Sequence, residues 1–503
     1  MKRQSSVFAL VTALALAGCS TDAVAPIKAP LAPSFAVGAG VASGSYIVLF
    51  NGKGIPADFA DRVATLGGTV SYSNAKAGFA SVGGLSDASA AQLGAIGGVS
   101  DVQADDVVSL DSPVAAAQAD ITDLTNPAIE SQANPAGGVR FFFQWNMRLI
   151  QADKAWAAGK LGSPDVTVAI LDTGIDYDSF DENGLVDLSR STSFMSTYIR
   201  STPTSAVHPA DDTVAKKFFP LRNKITDFNG HGTNVAQQVS SKAFALAGVT
   251  SKTTLIGVKV LGSNGVGSFG QILSGVLWAA DHGADVANMS LGGGFSKAGN
   301  GRLVGAINKV FNYAKQQGML IVVAAGNDGA DLQHNGNTYA SFCDASHVVC
   351  VSSVGPVTAL LNQDQPAFYS NFGRNSISVA APGGSADLSS GDGSTAHPFP
   401  KSPRPWGNDF ASWVWGFCPK NQLAGFTAAQ IPVLAGCQSG GFLNGFIGTS
   451  QASPHVAGLA ALLIAEVGKG QPQQIKHLIE ASADPIDPAY GKGRINVKNA
   501  LGL

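Results

Sequence analysis

From about Gln144 to the end of the chain, short and continuously apolar runs alternate with helical stretches, and this pattern limits the fold more than any other feature. "VTVAILD", "TLIGVKVL", "VANMSL" and "MLIVVAAGN" read as strands without polar alternation, while "ILSGVLWAADHG" and "GRLVGAINKVFNYAKQQG" carry helical spacing. Strands apolar on both faces need cover on both faces, and parallel neighbours need crossovers of this length. The expected fold is α/β, a parallel sheet flanked by helices, over residues 144–503. Charged residues make up 13% and hydrophobic residues 45% of the 503, against about 25% charged in an average domain. A large core follows and disorder is excluded. With a net charge of −3 and no long basic run, nucleic acid is not an expected partner.

Met1-Lys2-Arg3 followed by the apolar run Val7 to Ala17 is too short to span a bilayer and reads as an export signal covering residues 1–19. Leu16-Ala17-Gly18-Cys19 resembles a bacterial lipoprotein signal, which would make Cys19 the lipidated first residue of the mature chain. The expected product is therefore secreted, or lipid-anchored at the bacterial cell envelope. Residues 20–44, rich in Ala, Pro, Ser and Gly, form a linker. Residues 45–110 follow the order β-α-β-β-α-β and fit a small ferredoxin-like α+β domain. Residues 111–143 form a second linker. In an exported chain, the four remaining cysteines suggest two disulfides, and proximity favours Cys343–Cys350 and Cys418–Cys437.

Three motifs carry the chemistry. "AILDTGID" ends a buried strand in Asp172, "NGHGTNVA" sets His231 between glycines at a helix start, and "GFIGTSQASPHVAG" sets Ser450 at another. Read singly they are a turn aspartate, a packed histidine and a helix cap. Together with Asn327, at the end of "LIVVAAGN", they supply the parts of acyl transfer: nucleophile, base, orienting carboxylate and oxyanion donor. In the order Asp, His, Ser the motifs resemble those of the subtilisin (subtilase) family of serine endopeptidases, over about residues 145–503.

That resemblance implies a subtilisin-like fold, peptide or protein substrates and a triad of Asp172, His231 and Ser450 with Asn327 at the oxyanion. It makes residues 45–110 similar to the family's inhibitory propeptide, an intramolecular partner, and places the maturation site in or beside 111–143. "NMSLGG" brings Ser290, Leu291 and Gly292 to one wall of the substrate pocket, and "VAAGN" brings Ala324, Ala325 and Gly326 to the other. "GSNGVGSFG", with Gly265 and Gly267, resembles a substrate-pairing edge strand. No acidic residue stands in these segments, so small or apolar residues are expected before the cut. No cofactor is required, and a monomer is expected. Calcium is possible but without a clear motif, because "SSKAFALAGVTSKTT" lacks the family's Asn-rich loop; the acidic run "DYDSFDENGLVD" reads as a solvated loop. The alternatives are an inactive binding protein of the same fold, or an esterase using the same triad.

The chain departs from the family at three places. Gln451 follows the nucleophile where Met is usual. Asn234 and Gln237 stand where the family has His and Gly. Residues 385–447 form an insertion carrying Trp406, Trp413, Trp415, Cys418 and Cys437, expected to lie as a disulfide-pinned loop near the active-site rim. His455 is expected to be structural.

Overall fold

Alternation inside each apolar strand sends its side chains to two separate cores. In Thr167–Asp172, Ala169 and Leu171 join one hydrophobic cluster while Val168 and Ile170 join another. The computed structural model describes residues 44–52, 54–110, 115–120, 132–200, 209–340, 342–356, 363–385, 412–419 and 442–503. Six strands are hydrogen-bonded in the order Val348–Gly355, Leu320–Ala324, Val286–Met289, Thr167–Asp172, Thr254–Lys259, Thr192–Ser193, each parallel to its neighbour. Val379–Pro382 also pairs parallel with Val348–Gly355, and Gln365–Pro366 adds an antiparallel edge. Helices Phe269–Asp281 and Gly301–Gln316 cover one face, His231–Val239 and Thr449–Val467 the other. This is the expected α/β layering, with functional positions at the carboxyl ends of the strands.

The N-terminal region forms the anticipated β-α-β-β-α-β unit. Its antiparallel sheet runs Thr69–Asn74, Phe79–Gly83, Tyr46–Phe50, Val99–Ala104. Period-two alternation again sorts the side chains. Tyr46, Val48 and Phe50 pack on this unit's own helices Phe59–Thr65 and Asp87–Leu93, whereas Ile47 and Phe79 enter the large core beneath helices 269–281 and 301–316. Polar ties reinforce that junction. The Asn74 amide donates to Asp281 at 2.7 Å, Lys309 donates to the carbonyls of Phe50 and Gly78, and Asp105 accepts from the Gly270 N–H at 2.8 Å.

Two expectations are refined. Segment 111–143 is not irregular throughout: Ala115–Asp120 is a strand, and 3₁₀ turns form at Pro135–Gly137 and Phe141–Phe143. "AAAQAD" has little strand propensity of its own, and it is extended because Phe442–Ile447 offers an edge to pair with. Within 385–447, Val414–Phe417 and Phe442–Ile447 form a ribbon packed into the body of the protein rather than a rim loop. Trp413 and Trp415 are buried there with Phe244 and Tyr369; Trp406 lies outside the described residues. Cys343 and Cys350 are joined by a disulfide. Cys418 is buried, and its expected partner Cys437 lies outside the described residues, as does Cys19.

Candidate active site

Asp172 closes its strand with a fully buried carboxylate. Its Oδ1 accepts from the Thr173 backbone N–H at 2.7 Å and lies 2.8 Å from His231 Nδ1. His231 opens the helix His231–Val239, whose start is held by Asp227, a residue the sequence reading passed over. The two oxygens of Asp227 accept from the N–H groups of Asn229, Gly230 and Thr233 and from the hydroxyls of Thr173 and Thr233. A carboxylate at a helix N-terminus satisfies donors that have no partner within the helix, and it opposes the helix dipole favourably. Asn229 adds a second tie, accepting from the His231 N–H and donating to the Ser263 carbonyl. Only a glycine fits at 232, where a Cβ would stand 2.2 Å from the Gly174 carbonyl and 3.1 Å from Asp172 Oδ1.

Ser450 lies in the first turn of the helix Thr449–Val467, and its hydroxyl donates to the Ser290 carbonyl at 3.3 Å. Pro454 has no N–H to give to the carbonyl four residues back, which is that of Ser450. The Ser290 hydroxyl donates to that carbonyl instead, at 2.7 Å. Ser290 therefore fastens the serine helix to the end of strand Val286–Met289 and does not present its hydroxyl to a pocket. Asn327 Oδ1 accepts from both the N–H and the hydroxyl of Thr449 at 2.9 Å. Its Nδ2 is thereby turned away, buried and without a partner among the described residues. Gly448 permits the approach, since a Cβ there would stand 3.3 Å from that nitrogen.

The remaining pocket positions are distributed less evenly. Leu291 and Ala325 are buried in the main core, Gly292 and Ala324 are buried at their strand ends, and the Gly326 N–H donates to Thr449 Oγ1. Gly265 and Gly267 lie where an extended segment docks. Val266–Ser268 pairs antiparallel with Val107–Ser109, and the Leu110 N–H donates to the Gly265 carbonyl at 2.7 Å.

His455 is spoken for on both sides. Nδ1 donates to the Gln451 carbonyl at 2.7 Å and Nε2 accepts from the Asn146 amide at 2.8 Å, so the ring is neutral. Burial pushes its pKa down from 6.5 to about 4, against the pull of the Gln451 carbonyl. The unfolded chain takes up this proton below pH 6.5 and the fold does not, so stability falls as pH drops from 6.5 towards 4. The loss is about 3 kcal/mol at most. In a Ser450→Ala background, which prevents self-digestion, His455→Gln is expected to lose less melting temperature between pH 7 and pH 4.5 than its parent; equal losses would remove His455 from the acid response.

The acidic run 176–187 is not the solvated loop expected. Asp176, Asp181 and Glu182 are buried. Asp181 accepts from the N–H groups of Ala245 and Leu246 and from the Gln237 amide, and burial still pushes its carboxyl up to about 7. Asp176 pairs with Arg222, and Glu182 is held well above the usual carboxylate range by burial and by Asp176. Charge density suggested solvation; the fold instead uses these oxygens as acceptors for a loop whose backbone donors need partners. Among the described residues no group of three His, Cys, Asp or Glu side chains converges in a metal-holding arrangement.

The substitutions at 234 and 237 also find a purpose. The Asn234 amide donates to the carbonyls of Val414 and Asn444, Gln238 donates to the Trp415 carbonyl, and Gln237 accepts from the Phe417 N–H. The histidine helix thus grips the main chain of the ribbon. Gln451 is completely buried. It carries no sulfur, and Met147, Met195, Met289 and Met319 are all buried too. Dilute peroxide is therefore expected to cost less than about twofold in activity. Rapid inactivation with no methionine oxidised in the mass spectrum would contradict this.

A buried carboxylate holding an imidazole, and a serine at a helix start beside an unpartnered amide, can together carry out acyl transfer, which defines a serine hydrolase. Residues 163–502 match the model of the subtilase family, and the chain belongs to that family as a serine endopeptidase. It is 30% identical to Subtilisin DY of Bacillus licheniformis over 361 residues, 71% of this chain and 97% of that one. It is also 29% identical to the minor extracellular protease Epr of Bacillus subtilis over 244 residues, 48% of this chain and 30% of Epr. Among solved structures, the epidermin leader peptide processing serine protease of Staphylococcus aureus shares the fold. Its TM-score is 0.64 at 20% identity, covering 91% of this chain and 97% of that one.

Proposed function

We propose that this endopeptidase is made as an exported zymogen and cuts peptide bonds through an acyl-enzyme on Ser450. Ser450 Oγ attacks the carbonyl carbon while its proton passes to His231 Nε2. The C–N bond then breaks, and the same proton leaves with the amine. Asp172 fixes the imidazole with Nδ1 protonated and supports its cationic form. The Asn327 amide, with the Ser450 N–H, receives the developing oxyanion. Water then attacks the ester, with His231 again taking the proton, and Ser450 is released. The chemistry is complete within these side chains and calls for no cofactor. The observation that carries this reading is the buried 2.8 Å pair of Asp172 and His231, whose imidazole centroid lies 6.1 Å from the ring of Phe446 on the strand leading to Ser450, with that serine at a helix start beside an amide that has no partner among the described residues.

Residues 45–110 act as the chain's own inhibitor, supported by the docking of Val107–Leu110 on the edge that holds Gly265 and Gly267. The strand Ala115–Asp120 pairs with Phe442–Ile447, which ends three residues before Ser450. That pairing supports a maturation cut at the start of the 111–143 linker, between Leu110 and Ala115. The apolar N-terminus and the likeness to an extracellular protease favour export, with Cys19 as the lipid-bearing residue if the chain is anchored.

The test follows the full-length chain by intact mass and casein hydrolysis, with and without a fluorophosphonate probe. One probe per chain on Ser450, loss of casein cleavage and a mass drop matching a cut between 110 and 115 are expected. An unlabelled, uncut and inactive chain would point to a binding protein. Labelling with ester turnover but no casein cleavage would point to an esterase.

A further inference from the structure

We propose that Gln451 is a positioning residue for the oxyanion site: its Oε1 accepts the second hydrogen of the Asn327 amide and holds that amide aimed at the substrate carbonyl. The inference rests on the acyl-transfer reading above and extends it to a side chain that none of its steps uses.

Gln451 is wholly buried, yet neither its Oε1 nor its Nε2 has a hydrogen-bond partner among the described residues. Buried polar groups left unpaired are costly and few in folded proteins. The methionine usual here in the family would fill the same space with no such demand. An amide in this place calls for a partner, and Asn327 is at hand. The Asn327 Nδ2 is likewise buried and unpartnered among the described residues, while its Oδ1 is held by the N–H and hydroxyl of Thr449.

The two amides flank one point beside the nucleophile. A Cβ built on Gly448 would stand 3.1 Å from Gln451 Oε1 and 3.3 Å from Asn327 Nδ2, and glycine leaves that point open. A primary amide carries two hydrogens. One meets the oxyanion; the other needs an acceptor, and Oε1 supplies it. The main chain of Gln451 is already fixed, its N–H donating to the Gly448 carbonyl at 3.0 Å and its carbonyl accepting from His455 Nδ1 at 2.7 Å. Rotation of the side chain about its own bonds therefore closes the contact as charge develops on the substrate oxygen. An acceptor on the second hydrogen fixes the rotation of the Asn327 amide and polarises the N–H that faces the oxyanion.

The experiment is a double-mutant cycle on one peptide substrate, with kcat and KM measured for mature wild type, Gln451→Met, Asn327→Ala and the pair. Asn327→Ala by itself checks the oxyanion reading, with kcat expected to fall on the order of 10²- to 10³-fold. Gln451→Met is expected to lower kcat about tenfold at unchanged KM, the worth of one hydrogen bond made only in the transition state. In the Asn327→Ala background the same change is expected to cost less than about twofold, because the amide it positions is gone. In the Ser450→Ala chain, which cannot digest itself, Gln451→Met is expected to melt no lower than its parent, since it removes unpaired polar atoms from the interior. Equal losses of kcat in both backgrounds overturn the proposal, as does a kcat that Gln451→Met leaves unchanged. A fall in kcat that comes with a lower melting temperature overturns it as well, and makes Gln451 a support of the fold alone.

Discussion

Ser450→Ala is expected to reduce kcat on the order of 10⁶-fold, the loss known for removal of the nucleophile from subtilisin itself, and to leave the chain joined to its first 110 residues. The substitution deletes one hydroxyl whose single hydrogen bond among the described residues, to the Ser290 carbonyl, is long at 3.3 Å. The helix start does not depend on it: Thr449 is held by Asn327, and the Ser450 carbonyl by Ser290. Stability should therefore change by about 1 kcal/mol or less, and a melting curve close to wild type would show that chemistry, not folding, was lost. If the alanine variant sheds its N-terminal region as fast as wild type, another protease performs the cut.

Asp172→Asn is expected to lower kcat about 10⁴-fold, with KM nearly unchanged. The fold shows why a change of one atom is so costly. Asp172 Oδ1 accepts from the Thr173 N–H and faces His231 Nδ1. An asparagine that keeps its oxygen toward Thr173 leaves its NH₂ in place of Oδ2, an atom with no partner among the described residues. If its NH₂ turns to His231, the ring must become an acceptor at Nδ1 and carry its proton at Nε2, where it cannot act as base. Either way the charge that supports the imidazolium is gone. Measurement of kcat and KM on one peptide separates this from a binding defect, since a rise in KM at constant kcat would contradict the assigned role.

The sheet and the four principal groups were legible in the sequence for a local reason. Continuous apolar runs dictate buried strands, and Asp172, His231, Asn327 and Ser450 stand where those runs or the helices after them begin or end. Residues whose role comes from distant partners were not legible. Asp227, in a stretch that reads as an ordinary turn, gathers five donors only once strand 167–172 and the histidine helix meet. Ser290 looked like a pocket wall, yet its hydroxyl serves a carbonyl 160 positions away that Pro454 leaves without its helical donor. The acidic run misled because carboxylates signal solvent by default, and nothing near Asp181 announces the loop at 245–246. Ala115–Asp120 has no strand character of its own and takes its form from a partner more than 300 residues on.

The grip of the histidine helix on the ribbon falls on carbonyls and an N–H of Val414–Phe417, groups present whatever side chains stand there. Residues 386–411 and 419–441 lead into and out of that one anchored strand. The protein therefore carries a mounting socket: the sequence on either side of Val414–Phe417 can be exchanged between lineages while the main chain of this strand keeps its hold and the hydrolytic machinery stays the same.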